Sequence, residues 1–158
     1  MFTTRKILAG AAGGLVGGAV FGMMMAKMGM LPMIGKMVGV PTVAAGWIVH
    51  LAISAAIGAS FGVLLGWLVT GRISGLVFGT AYGAAWWLLG PLTLMPLMMG
   101  MGLGVNWNLA AAEAMLPSLL GHAVFGLVMG PSYDLVRRRL ASGRATVNRA
   151  AREAEVVA

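Results

Sequence analysis

Cysteine is missing altogether, which excludes disulfides, iron–sulfur clusters and cysteine-ligated zinc. Charge is scarce as well: Asp, Glu, Lys and Arg make up 9% of the 158 residues, where a soluble domain carries about 25%. Only four residues are acidic, so paired carboxylates for acid–base catalysis cannot be assembled, nor can a nucleophile–base arrangement be found. Phosphate-binding glycine loops are absent too. Fragments such as Gly100 to Gly104 lack the strand–turn–helix setting that gives such glycines their function.

What is present is apolar. Hydrophobic residues make up 59% of the chain and the mean hydropathy is +0.92. Four stretches reach the ~20 residues that a membrane-spanning helix needs; they predict helices over about 7–26, 42–69, 73–99 and 117–136. The expected fold is an all-α four-helix transmembrane bundle over 1–139 followed by a cytoplasmic basic tail over 140–158. Arg5 and Lys6 before an apolar run imitate a signal peptide, but no small-x-small site closes the run before Lys27, so a retained first helix is expected. Pro41 suits a first helical position, Gly90-Pro91 and Gly130-Pro131 predict a kink or an end, and Asn108 suits a cap on a short interfacial helix. Trp47 and Trp67, about 30 Å apart along one helix, fit two interfacial aromatic belts. The short link Thr70-Gly71-Arg72 predicts that the second and third segments are antiparallel neighbours.

Basic residues set the orientation. With a cytoplasmic N-terminus, the inner side holds nine (Arg5, Lys6, Arg72, the Arg137–Arg139 run and three in the tail) and the outer side only Lys27 and Lys36. Both termini are therefore expected inside. The net charge of +7 is topological on this reading: the basic tail reads as a stop-transfer signal with a solvated end, or alternatively as a segment that docks on anionic lipid headgroups, and nothing in it points to nucleic acid.

The most regular pattern is a ladder of glycines. Gly71, Gly75, Gly79 and Gly83 recur every fourth residue, as do Gly10, Gly14, Gly18 and Gly22 sixty-one residues earlier. Such a helix face has no side chains and lets another backbone approach closely. The second and fourth segments also match at an offset of 72, which aligns His50 with His122 on stripes of small residues. One helical hairpin, duplicated in parallel, accounts for both matches.

Chemistry has few carriers. His50 and His122 are the only histidines. Ionisable groups inside a membrane are functional candidates, and counting along the helices puts both in the outer half, His122 about 22 Å above Arg137. Each ring has two readings: a hydrogen bond to a neighbouring helix, or a paired role as haem axial ligands or a metal or proton site. Fourteen methionines likewise read as flexible apolar filler or as thioether ligands for copper: Met28, Met30, Met33 and Met37 group in the first outer connection and Met95, Met98, Met99 and Met101 in the second, with Met98 and Met99 joining the two histidines as candidate ligands. Asp134 precedes Arg137 and Arg138 by three and four residues, the spacing of an ion pair along a helix. Glu113 is the one acid expected on the outer side.

The segment His50-x-x-x-Ser54, together with Gly121-His122 and the run Arg137-Arg138-Arg139-Leu140, resembles YagU-type bacterial inner-membrane proteins. The resemblance implies an inner-membrane protein linked to acid tolerance and carries over no catalytic residue. The sequence as a whole predicts a non-enzymatic membrane protein, an oligomer or an accessory subunit. The alternatives are a haem- or copper-binding protein using His50 and His122, and a small transporter or channel.

Overall fold

The computed structural model describes the backbone of residues 2–157 and side chains over 3–143. The tail's Arg144, Arg149 and Arg152 thus have side chains outside the described residues. The chain forms α1 (Phe2–Lys27), α2 (Leu31–Lys36), α3 (Val43–Leu64), α4 (Arg72–Leu89), a π-helical turn (Gly90–Leu94), α5 (Met95–Met98), α6 (Leu109–Ala114) and α7 (Leu116–Val157). No strand occurs among the described residues. Four helical spans are long and apolar enough to cross a membrane: Thr3–Lys27, Val43–Leu64, Arg72–Met98 and Leu116–Gly143.

Several boundaries differ from expectation for local reasons. Thr42, not Pro41, begins α3: it is the N-cap, and its hydroxyl accepts from the Ala45 amide at 3.2 Å. α3 ends at Leu64, five residues early, because the chain turns where Gly66 passes against the Tyr133 hydroxyl. Trp67 therefore sits beyond the helix, with its indole N–H donating to the freed Leu64 carbonyl at 3.0 Å. A thirty-ångström helix between the two tryptophans is not formed. Gly90-Pro91 does not end the third span. Pro91 supplies no amide, and the ladder widens so that the Met95 amide donates to Gly90 O. Helix α7 likewise runs unbroken through Pro131. Asn108 caps α6 as expected, accepting from Ala111 N at 2.9 Å.

The helices pack in a chain of antiparallel pairs. α1 lies along α3 and α4 along α7, while α1 also crosses α7. A Cβ added at Gly14 would fall on the Ser54 carbonyl oxygen, and one at Gly79 on that of Gly126. On a second face of α1, Gly13 meets the backbone of Met129 and Tyr133, and Gly17 meets that of Phe125. The core lies where these seams converge, around Ala9, Phe61, Phe125, Met129 and Tyr133.

Helices α3 and α4 are consecutive spans, yet they barely approach one another. Phe78 and Tyr82 on α4 project into the core from the positions where α1 carries glycine. They hold α4 a side chain's length from α3: the Tyr82 ring packs 5.4 Å from that of Phe61, and its hydroxyl lies 2.8 Å from Ser60 Oγ. The expected neighbours are thus bridged by side chains instead of being packed backbone to backbone.

Candidate functional site

The gap between α3 and α4 widens, away from the basic end, into a chamber of about 590 Å³. Its deep wall carries Phe21 of α1, His50 and Ser54 of α3, and Ser118 and His122 of α7. Its mouth is made by the two connections. The first contributes Met30, Met33 and Met37, and the second contributes Met98, Met99 and Met101. Connections some sixty residues apart in sequence therefore meet over the two histidines.

Both histidines contact the same aromatic ring. Phe21 packs against both, its centroid 5.4 Å from that of His50 and 4.9 Å from that of His122, with the ring planes steeply inclined in each pair. Neither histidine turns away from the bundle: His50 is 7% exposed and His122 half-buried. The two rings therefore share one aromatic neighbour supplied by α1.

Backbone carbonyls fix the tautomer of each imidazole, since a carbonyl oxygen only accepts. His50 donates Nε2–H to Gly18 O across the α1–α3 seam at 2.9 Å. His122 donates Nδ1–H to Ser118 O one turn back at 2.8 Å, with Ser118 Oγ at 3.4 Å. The remaining nitrogens, Nδ1 of His50 and Nε2 of His122, are lone-pair acceptors in the neutral rings, and no group among the described residues hydrogen-bonds either one. Nε2 of His122 points toward Gly90, 3.8 Å from where a Cβ there would stand. Gly90 opens the π-helical turn, so that irregularity lies directly against the free imidazole nitrogen.

No group of three or more His, Asp or Glu side chains forms a metal cluster among the described residues. The methionine candidates Met98 and Met99 do face the chamber, but they are 62% and 40% exposed at its mouth, whereas the histidines sit at its base. Glu113 lies on exposed α6, outside the chamber wall. At the opposite end, Asp134 is buried and takes Arg137 Nη2 at 2.7 Å and Arg138 Nε at 2.8 Å, while Arg138 also donates to Thr70 O at 3.1 Å. The ion pair expected from the spacing is formed, and it also ties α7 to the α3–α4 connection.

Sequence reasoning singled out both histidines and both groups of methionines but missed Phe21 and the chamber itself. In the alignment of the two glycine ladders at an offset of 61, Phe21 falls opposite Tyr82 and so reads as part of the repeat. The signal available was its position beside Gly22, at the level where the α3 histidine reaches α1. The chain matches no family model, no curated protein and no solved structure.

Proposed function

We propose that the chain is a four-span integral protein of the bacterial inner membrane with both termini in the cytoplasm. In this reading it is a non-enzymatic membrane subunit, oligomeric or accessory to another membrane protein, built from one glycine-seamed hairpin used twice. The observation that carries it is the repeated register of the two seams. Gly58 meets Gly10 O and Gly14 Cα, and Gly130 meets Gly75 O and Gly79 Cα. His50 and His122 then occupy equivalent places opposite Gly18 and Gly83. In lipid, where the hydrophobic effect does not drive helices together, such backbone-to-backbone seams are the packing mode available to glycine-rich helices.

The contacts support an alignment of Gly10, Gly14 and Gly18 with Gly75, Gly79 and Gly83, an offset of 65 instead of the 61 that best matches the letters. A ladder with a glycine every fourth residue aligns with itself after any one-turn slip, and the packing partners choose the register. The grouping of Arg5, Lys6, Arg72 and the Arg137–Arg139 run toward one end supports the N-in, C-in orientation, and the resemblance to YagU-type proteins supports the inner membrane. Reporter fusions test the topology: one after Ala158 reads cytoplasmic and one near Asn106 external, and a cytoplasmic signal at Asn106 refutes four spans.

One observation favours a second reading, ligand binding: two imidazoles, each with one nitrogen left over from its backbone hydrogen bond, line a single chamber. Because each ring already donates to a backbone carbonyl and Phe21 packs against both, this reading takes the chamber as a whole as the binding site, without a bridge between the histidines.

A further inference from the structure

We infer that the chamber binds a lipid-soluble phenol or hydroquinone, held by a hydrogen bond from its hydroxyl to Nε2 of His122; this rests on the ligand-binding reading above. The volume of about 590 Å³ falls in the ~300–1,000 Å³ range of small-molecule sites, and a bare metal ion would leave it unfilled. The wall has the composition such molecules require: apolar and aromatic, with few polar groups. Phe21, Trp86 and Phe125 supply rings for edge or offset contact, and the methionine thioethers supply adaptable, polarizable surface.

The polar requirement is more selective. Ser118 O holds the His122 proton on Nδ1, so Nε2 presents a lone pair to the chamber. A ligand that only accepts hydrogen bonds, such as a quinone carbonyl or an aryl ether, leaves that nitrogen unpaired; one with a hydroxyl satisfies it. Nearby hydroxyls do not satisfy it: Ser118 Oγ lies on the Nδ1 side, and no other group among the described residues hydrogen-bonds Nε2. The widened π-helical turn at Gly90 leaves room beside it, because glycine puts no side chain between the ring and the chamber. The chamber opens where the two methionine-bearing connections form its mouth, and Phe78 and Tyr82, packed on the core, keep α3 and α4 from closing backbone to backbone.

The test compares 1-naphthol with 1-methoxynaphthalene, binding each to the full chain in lipid nanodiscs against empty nanodiscs as baseline. The expected result is saturable binding of 1-naphthol at least about tenfold tighter than the ether, the difference expected when a buried acceptor loses its donor. In the imidazole ¹⁵N spectrum, 1-naphthol should shift Nε2 of His122 while Nε2–H of His50 stays in place. His122→Phe, which keeps the volume, should abolish the discrimination between the two compounds. Equal binding of the two compounds, absence of saturable binding, or a naphthol effect that leaves the His122 resonances unmoved overturns the inference. So does displacement of bound 1-naphthol by one equivalent of Cu(I), which would make the chamber a thioether metal site. None of these outcomes bears on the span count or orientation, which the reporter fusions decide separately. The comparison of the two compounds on the unaltered chain holds even if the variant fails to fold.

Discussion

Replacing Gly79 by Ala isolates what a seam glycine does. In an ordinary helix interior the change is favourable, since Gly is about 1 kcal/mol worse than Ala there. At Gly79 the new methyl falls on the Gly126 carbonyl oxygen and stands 3.0 Å from Gly130 Cα. Both obstacles are backbone, so neither can rotate aside, and relief requires α4 to move off α7. That movement also opens the contacts one turn away, at Gly75 against Gly130 and Gly83 against His122. Overpacking of this kind costs about 1–3 kcal/mol, and a backbone obstacle belongs at the upper end. Subtracting the propensity gain leaves a net loss of about 2 kcal/mol. Gly143 in the same α7 is the internal control, because nothing lies within 4 Å of a Cβ there; Gly143→Ala should stabilise by about 0.4–1 kcal/mol. Reversible SDS titration in mixed micelles measures both. Opposite signs are expected, and a Gly79→Ala protein as stable as the parent would refute the account of the seam.

Other outcomes follow from the same contacts. Gly18→Ala should be milder than Gly79→Ala, because its methyl meets the Ser54 side chain instead of backbone; SDS titration ranking them the other way would contradict the contact assignment. Asp134→Asn removes the charge and replaces one of the two oxygens that accept from Arg137 and Arg138 by an amide donor; it should destabilise by about 1–3 kcal/mol, read as a lower midpoint that added salt does not restore. Tyr82→Phe deletes the bond to Ser60 at a cost of about 0.5–1.5 kcal/mol while the ring keeps α3 and α4 apart. A spin-label distance between those helices should accordingly stay constant in that variant.

The four long apolar helices were legible because helix length and hydropathy act locally, and Asn108 and Asp134 were legible because a cap and an i, i+4 pair need only neighbours. Helix α3 ended early for a reason outside its own segment, namely Tyr133 of α7 against Gly66. The adjacency of α3 and α4 was misjudged because a short link limits how far apart two helix ends lie and not how closely the helices pack. Phe78 and Tyr82 set that spacing. The chamber needed three-dimensional information of another kind, since its mouth joins two connections and its base joins three helices. Each methionine group was visible in the sequence, but nothing in either showed that it faced the other.

Helix α1 is grooved on two faces, one against α3 and one, at Gly13 and Gly17, against α7. A chain is made from its N-terminus onward, so the partner for the first groove is synthesised soon after α1, whereas the partner for the second is the last span. Until α7 arrives, the Gly13–Gly17 stripe has only lipid or a chaperone against it, and the wall carrying His122 does not exist. Assembly therefore closes from the end of synthesis backward. A ribosome stalled after α4 leaves three long helices with two glycine faces uncovered, Gly13–Gly17 of α1 and Gly75–Gly83 of α4, and those exposed stripes are a mark by which quality control can tell an unfinished molecule from a finished one.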